Sequence, residues 1–245
     1  MADWKGCATG NFQTGRPGQF QPEAVVIHIM DGTLTGTDAW FNNPKAKVSA
    51  HYGVGRGGLV HQYVKEADTA FHAGIVDRPT WTLLKPGVNP NFYTIGVEHE
   101  GTADVAWPWP TAQLNASATL VREILTRWRI PVELERIVPH HLIRASKPCP
   151  GVNFVRAAYF AAVEAAPIPA VTAAPVALDI AILEPTISRL WPRSDSAPVW
   201  AVTKGETIQA SLVAVGEPVQ GNATWYGVNA HEFIWAGATN RPHPG

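Results

Sequence analysis

Residues 137–151, IVPHHLIRASKPCPG, bring two imidazoles, a lysine and a thiol into one short stretch. The apolar lead-in Ile137-Val138 is typical of the end of a buried strand, and the prolines on either side of Cys149 exclude a helix there. A thiolate and a neutral imidazole are ligands that zinc prefers. Each of these side chains taken alone is more often structural than a metal ligand. The spacing by itself therefore leaves a zinc site and an ordinary loop about equally favoured.

A catalytic zinc site also needs a third protein ligand and an open position for water. His28 is the best candidate, because it lies inside the apolar run Ala24–Met30, which predicts a strand buried on both faces. A buried imidazole needs a polar partner, and a metal ion would be one. A disulfide between the two cysteines, Cys7 and Cys149, is the alternative. It is less favoured, because two cysteines do not make a disulfide framework and Cys149 has histidine neighbours.

The overall composition limits the classes of partner. At 245 residues, the chain has room for one large domain or for a medium and a small one. Its 19 basic and 20 acidic residues give a net charge of −1, which is no electrostatic footprint for nucleic acid or an anionic membrane. We therefore expect no nucleic-acid partner and no membrane insertion. The first residues lack the apolar core of a signal peptide, so we expect synthesis in the cytoplasm without one.

The order of predicted elements indicates an α/β fold with a mixed central β-sheet flanked by helices. Strands are predicted at Ala24–Met30, Ser49–Val54, Leu59–Val64, Thr94–Glu100 and Ile137–Val138. Helices are predicted from a Thr35 or Thr37 cap to before Pro44, at Thr111–Trp128, and from an Asn153 cap through Val163. Residues 1–22 are expected to form an irregular N-terminal arm, and residues 76–93 a long surface loop of the kind that often binds ligands.

The composition changes after the first domain. Residues 165–176 are rich in Ala and Pro, which predicts a semi-rigid linker. Residues 177–245 hold short β-like segments separated by Gly, Asn and Pro, a spacing that predicts a small all-β barrel. The predicted segments are Ala197–Val202, Thr207–Val215, Ala223–Val228 and Glu232–Ala236.

A set of short motifs follows one order over most of residues 20–165. The motifs are Val26-Ile27-His28, Ser49-Ala50-His51-Tyr52, Gln62-Tyr63-Val64, Phe71-His72-Ala73-Gly74, Ile95-Gly96-Val97-Glu98 and Ile137-Val138-Pro139-His140 with Lys147-Pro148-Cys149-Pro150-Gly151. Each is weak alone, but the ordered set is highly specific. Residues 23–164 resemble the zinc-dependent N-acetylmuramoyl-L-alanine amidases of the type-2 amidase and peptidoglycan-recognition-protein group. Residues 177–245 resemble a bacterial Src-homology-3-like barrel, on Trp225-Tyr226-Gly227-Val228 and Phe233-Ile234-Trp235-Ala236-Gly237.

The first resemblance implies one zinc ion per chain, held by His28, His140 and Cys149. It implies hydrolysis of the amide bond between N-acetylmuramic acid and L-alanine, with the glycan and the stem peptide of peptidoglycan as partners. The family usually has glycine where this chain has Pro139. His141 is expected beside the site or in solvent.

The resemblance also implies the catalytic groups. Glu98 would be the general base, because the tyrosine that some members use corresponds to Ala50 here. Lys147 would stabilise the developing oxyanion together with zinc. Four further side chains are expected at the substrate cleft: His51, His72, Trp81 and Asn91. The alternative for the two histidines is a position behind the metal ligands, and His51 could equally be a hydrogen-bonded core histidine.

Several functions compete with a wall-lytic amidase. A recognition module would bind peptidoglycan without cutting it, but the three ligand positions and Glu98 are all filled here. A zinc peptidase is less favoured, because no His-Glu-x-x-His signature is present. A cytoplasmic amidase that recycles anhydro-muropeptides would suit the missing signal peptide but not an appended wall-binding barrel. A phage or prophage endolysin, or an autolysin, reconciles both features, since it would reach the wall through a permeabilised membrane.

Overall fold

The computed structural model describes residues 2–104, 106–167 and 171–243. Contacts divide the chain into two units. The first comprises Met1–Thr126 and Ile130–Ile168, and the second comprises Arg127–Arg129 and Pro169–Gly245. Within the described ranges, every helix is too short or too polar to cross a membrane.

The first unit is built on a mixed β-sheet. Its strands are β1 (Asp3–Trp4), β2 (Phe12–Gln13), β3 (Ala24–Ile29), β4 (Tyr52–Val54), β5 (Val60–Gln62), β6 (Thr69–Ala70), β7 (Thr94–His99) and β8 (Ile137–Pro139). Six of them form one sheet in the order β1-β5-β4-β7-β3-β8, and β2 pairs with β6. β3 runs parallel to both β7 and β8. Every residue of β3 is buried, as its continuous apolar run predicts.

Three helices accompany this sheet: α1 (Leu34–Phe41), α2 (Thr111–Arg127) and α3 (Arg156–Ala165). The helix predicted at Thr111–Trp128 corresponds to α2, which buries Val121, Ile124 and Leu125. The mixed α/β architecture predicted from the sequence is confirmed.

The predicted helix caps were wrong in detail. Thr33 caps α1, because its hydroxyl accepts a hydrogen bond from the Gly36 N–H at 3.1 Å. α3 starts later than predicted, with Val155 at its N-cap position. The predicted cap, Asn153, donates instead to the Asp104 carbonyl at 2.8 Å. A cap at Asn153 would start the helix at the next residue, whereas α3 begins at Arg156.

Residues 1–22 were predicted to form an irregular arm, but the described part, residues 2–22, contains two short strands. β1 extends the edge of the sheet by pairing with β5, and β2 pairs with β6. The buried Asn11 side chain donates to the carbonyls of Phe41 and Asn43. These contacts join residues about thirty positions apart, so the local composition of the segment does not predict them.

The second unit is an antiparallel β-sheet. Its strands are β9 (Ala173–Ala181), β10 (Thr186–Arg189), β11 (Pro198–Val202), β12 (Thr207–Val219), β13 (Asn222–Asn229) and β14 (Glu232–Trp235). They follow the order β11-β10-β14-β13-β12-β9. A cluster that includes Ile180, Val202, Tyr226 and Ile234 forms its core. The four segments predicted from sequence correspond to β11–β14, whereas closure of the sheet into a barrel stays a prediction.

The end of the predicted linker was wrong. Residues 165–176 were expected to be extended and unpaired, but β9 begins at Ala173 and pairs with β12. Pro175 is compatible with this strand because β9 lies at the edge of the sheet. Residues 168–170 of the predicted linker lie outside the described residues.

Candidate metal centre and active site

Three potential metal ligands converge at one end of the parallel strands. The ligand atoms of His28, His140 and Cys149 all lie within 4.8 Å of one another, and all three residues are buried. Ile27 pairs with Pro139 in the β3–β8 ladder, so the next residue of each strand brings the two imidazoles together, with ring centroids 4.4 Å apart. Cys149 Sγ lies 3.8 Å from His28 Nδ1 and accepts a hydrogen bond from the Ile29 N–H at 3.2 Å.

The structure distinguishes the two adjacent histidines. His140 is buried in the cluster, whereas His141 is exposed. The His141 backbone N–H donates to the Cys149 carbonyl at 2.9 Å, and its Nδ1 lies 3.1 Å from the same oxygen. His141 therefore holds the loop that carries the thiol, while His140 faces the site.

The donor set fits a zinc-like ion. Burial, reinforced by the neighbouring His140, holds the pKa of His28 well below its usual value. Burial and the Lys147 charge lower the pKa of His140 to about 4. Both imidazoles are therefore neutral near pH 7 and have a lone pair to offer. Tetrahedral zinc with its usual bond lengths separates nitrogen and sulfur ligands by roughly 3.6 Å, close to the 3.8 Å seen here.

Cys149 supplies the third potential ligand atom, a thiol that is protonated in the metal-free protein. Burial, with the nearby Glu98 carboxyl, raises the pKa of Cys149. A metal ion must therefore displace the thiol proton on binding. Together the three residues could hold a metal ion.

Strand register places a carboxyl beside this cluster. His28 pairs with Glu98 across β3 and β7, and Glu98 pairs with Gly53 across β7 and β4. Residues paired in this way project from the same face of a sheet, so Glu98 shares the face of His28. A side chain at Gly53 would approach the Tyr63 hydroxyl to 2.8 Å, so only glycine fits between Glu98 and Tyr63 without a shift.

Glu98 is a carboxyl whose surroundings favour its protonated form in the metal-free protein. The residue is partly exposed, but its Oε2 is buried and has no hydrogen-bond partner among the described residues. Burial and the negative charge of Asp31 raise the pKa of Glu98 to about 8, although Lys147 opposes this rise. Lys147 itself is exposed, and its charge acts on both Glu98 and His140. The Glu98 carboxyl therefore interacts electrostatically with Cys149, and the Lys147 ammonium group with His140.

The residues expected at the substrate cleft are mostly internal, which corrects that expectation. Trp81 is buried, stacks on Tyr93 and donates from Nε1 to the Glu135 carbonyl at 2.8 Å. Asn91 is buried and its Oδ1 accepts from the backbone N–H groups of His72 and Ala73. These two side chains hold loops together and are not placed to touch a substrate.

The two further histidines also face inward. His51 is fully buried, as its alternative interpretation predicted, and Gly96 N–H donates to its Nδ1 at 3.0 Å. His72 is partly buried, with its Nδ1 3.1 Å from His28 Nε2. His72 therefore contacts a potential metal ligand, in agreement with its alternative prediction.

The loop at residues 76–93 is also less free than predicted. The backbone N–H groups of Thr80 and Trp81 donate to the Leu142 carbonyl, and Asp77 N–H donates to Ile143. These hydrogen bonds fix the loop against the segment that follows His140.

Sequence reasoning missed Arg16, whose guanidinium is buried near His51. It donates to the carbonyls of Glu66 at 2.8 Å and Phe92 at 2.9 Å. Burial lowers the pKa of Arg16 to about 10, opposed by the carboxyl of Glu66. A lone arginine in a Gly- and Pro-rich segment gives no sequence signal of this role.

Comparison with known proteins agrees with this geometry. The model of the N-acetylmuramoyl-L-alanine amidase family Amidase_2 matches residues 18–152, more than half of the chain. The chain therefore belongs to this family. N-acetylmuramoyl-L-alanine amidase A of Achromobacter lyticus is 38% identical over 127 residues, which are 51% of this chain and 62% of that protein. The chain thus spans less than two thirds of this curated relative.

Solved structures show the same fold. A selenomethionine derivative of AmpD superposes with a TM-score of 0.54 at 25% identity, covering 66% of this chain and 94% of that one. A mutant endolysin from Bacillus subtilis superposes with a TM-score of 0.50 at 18% identity, covering 66% and 98% respectively. At that identity the second likeness supports the fold alone.

Proposed function

We propose that this chain hydrolyses the amide bond between N-acetylmuramic acid and L-alanine in peptidoglycan, with one zinc ion held by His28, His140 and Cys149. The observation that carries the proposal is the unpartnered Oε2 of Glu98, buried on the sheet face that also presents His28. Membership in the N-acetylmuramoyl-L-alanine amidase family supports this choice of bond. The filled ligand set and the carboxyl favour catalysis over a recognition module that binds without cutting.

The chain's own residues account for the proton movements. When bound, zinc supplies Lewis acidity that activates water near neutral pH and polarises an amide carbonyl. In its ionised form, which the Lys147 charge favours, Glu98 accepts the proton of the attacking water and returns it to the leaving nitrogen of L-alanine as the C–N bond breaks. Lys147 provides a positive charge for the developing oxyanion. The products are a lactyl carboxylate on the sugar and a stem peptide with a free amino terminus.

We also propose that the second unit is a Src-homology-3-like wall-binding domain. The motifs that carry this resemblance lie in β13, in β14 and in the short 3-10 turn after it, at Ala236–Ala238. A domain that holds the enzyme on an insoluble wall favours an endolysin or autolysin, released through a permeabilised membrane, over a recycling amidase. Activity measured on two substrates distinguishes these roles. Cleavage of intact sacculi would indicate an endolysin or autolysin, whereas cleavage of soluble anhydro-muropeptides alone would indicate a recycling amidase.

The first test is digestion of purified peptidoglycan with and without a zinc chelator, followed by mass analysis of the products. We expect free stem peptides that begin with L-alanine, their loss on chelation and their return when zinc is added. Glycan-peptide that stays intact with protein bound would contradict the proposed hydrolysis.

A matched pair of cysteine variants tests the ligand set. Cys149→Ser should lower zinc affinity strongly, because a neutral hydroxyl is a poor substitute for a thiolate. Cys7→Ser removes the other free cysteine and should leave zinc binding unchanged. Tight zinc binding by Cys149→Ser, measured by competition with a chromophoric chelator, would show that the ligand assignment is wrong.

A further inference from the structure

His72 lies at the start of a hydrogen-bonded chain that leads away from the metal cluster. Its Nδ1 is 3.1 Å from His28 Nε2, and its Nε2 is 3.3 Å from Thr94 Oγ1. The Thr94 hydroxyl in turn donates to the Pro90 carbonyl at 2.7 Å. The chain therefore runs from a ligand imidazole to a backbone acceptor that cannot donate.

Counting donors along this chain fixes the position of each proton. Thr94 has one hydroxyl proton, and it is used on the Pro90 carbonyl, so Thr94 Oγ1 can only accept from His72 Nε2–H. A neutral His72 with its proton on Nε2 has a lone pair on Nδ1, which accepts from His28 Nε2–H. His28 Nδ1, the atom that faces Cys149, is left with its lone pair free.

The fold holds the His72 ring at this place. The backbone N–H groups of His72 and Ala73 both donate to Asn91 Oδ1, at 3.1 and 2.7 Å. The ring also lies against Gly96, where an added Cβ would be 2.5 Å from His72 Cγ. Gly96 thus provides the space that the ring occupies.

We propose that His72 is a positioning residue that locks His28 in the Nε2–H tautomer and so presents Nδ1 to the metal. This inference rests on the proposed function, because the tautomer affects metal binding only if zinc binds at this site. The tautomer itself is a property of the metal-free protein and can be measured without zinc. Hydrogen-bond partners of this kind typically change metal affinity by about 10–100-fold.

The first experiment uses the full chain without metal. Long-range ¹H–¹⁵N correlation spectra of ¹⁵N-histidine-labelled protein distinguish a protonated from an unprotonated ring nitrogen. We expect the wild type to show His28 protonated on Nε2 and His72 protonated on Nε2. A wild-type His28 protonated on Nδ1 would overturn the proposal, whatever the activity of the enzyme.

The second experiment compares zinc affinity by competition with a chromophoric chelator. His72→Ala should weaken zinc binding by about 10–100-fold. His72→Gln should recover much of this loss, because its amide oxygen can accept from His28 while its NH₂ group donates to Thr94. His61→Gln is the control, since it alters a buried imidazole that bonds Asp38 at 2.9 Å. It should bind zinc like the wild type.

The outcomes separate this inference from the proposed function. If His72→Ala binds zinc as tightly as the wild type, or if His72→Gln binds no better than a folded His72→Ala, His72 does not position His28. If the wild type itself fails to bind zinc while His28 shows the Nε2–H tautomer, the proposed zinc site is wrong and the hydrogen-bonded chain still stands. Cobalt-substituted protein adds a spectroscopic check, because His72→Ala should alter the ligand-field absorption and His61→Gln should not.

Discussion

At the scale of single residues, Glu98 is the group whose chemistry can be tested most directly. Its buried Oε2 has no hydrogen-bond partner among the described residues, and burial raises its pKa to about 8. Glu98→Gln keeps the size of the side chain but cannot accept a proton. We expect kcat on a soluble muropeptide to fall by about 10²–10⁴-fold, while the zinc content measured by atomic absorption stays unchanged.

Glu100→Gln is the matched control for this prediction. Glu100 lies two residues further along and its Oε2 accepts from the Arg56 N–H at 2.9 Å, so its carboxylate already has a partner. We expect its kcat to stay close to that of the wild type. Full activity in zinc-loaded Glu98→Gln would show that another group acts as the base.

His51 should make stability depend on pH. Gly96 N–H donates to its Nδ1, so the ring proton sits on Nε2, which is 3.2 Å from the Asp68 carbonyl. Burial, reinforced by the Arg16 guanidinium 3.2 Å away, holds the pKa of His51 well below 6.5. A second proton, on Nδ1, would also break the Gly96 bond. Unfolded His51 binds a proton below about pH 6.5, whereas folded His51 does not.

Stability must therefore fall as the pH drops through about 6.5, by up to roughly 1.4 kcal/mol per pH unit for each such histidine. The measurement is urea unfolding of metal-free protein between pH 5 and 8. His51→Gln should show a shallower decline than the wild type. His231→Gln, which changes an exposed histidine of the second unit, should keep the wild-type slope. An unchanged slope in His51→Gln would contradict the prediction.

Residue by residue, the sequence predicted the ligand cluster better than its surroundings. His28, His140 and Cys149 were found because their types match zinc and their motifs occur in order. The burial of Trp81 and Asn91 was not predictable in the same way. Whether these side chains face solvent depends on partners from other segments, such as the Glu135 carbonyl that accepts from Trp81.

At the scale of elements, the pairing register of β3, β4 and β7 determines which residues lie side by side at the candidate site. His28, Glu98 and Gly53 lie side by side across these strands because of their pairing. The sequence predicted each strand from its apolar run, but a run alone does not state which residues pair. Only the structure shows the register, which pairs Glu98 with His28.

Gly96 on β7 tests how tightly these elements pack. A Cβ there would lie 2.5 Å from His72 Cγ and 2.7 Å from its Nδ1, closer than real contacts allow. We expect Gly96→Ala to lower the free energy of unfolding by about 1–3 kcal/mol, the usual cost of overpacking. Gly57→Ala is the control, because an added Cβ at Gly57 has no heavy atom within 4 Å. Equal unfolding midpoints for the two variants in urea would show that the His72 ring can move aside.

At the scale of the whole molecule, the chain combines two units whose sequences differ in how well they reveal their folds. The first unit carries ordered motifs, so its architecture and family could be predicted. In the second unit, β11–β14 were predicted as short β-like segments separated by Gly, Asn and Pro. β9 was missed because its Ala- and Pro-rich sequence is typical of a linker, and only its pairing with β12 makes it a strand.

The proposed division of labour between these units predicts that wall binding and hydrolysis can be separated by mutation. Trp200 on β11 is 40% exposed, and its Nε1 donates to Glu232. Exposed tryptophans offer a large apolar face for sugars or peptides and often dominate binding energy. We expect Trp200→Ala to weaken binding to insoluble sacculi by about 10-fold or more, in line with a loss above 1 kcal/mol at a binding hot spot. Its kcat on a soluble muropeptide should not change.

Co-sedimentation with sacculi at several protein concentrations measures this affinity, using an inactive Glu98→Gln background so that the sacculi stay intact. Trp40→Ala is the matched control, because Trp40 is 52% exposed on α1 of the first unit. If Trp200 belongs to a wall-binding surface, Trp200→Ala alone should lower the sedimented fraction. Equal binding by both variants would remove Trp200 from that surface. A loss seen only in Trp40→Ala would instead assign wall binding to the catalytic unit, because the exposed ring that matters would then lie on α1.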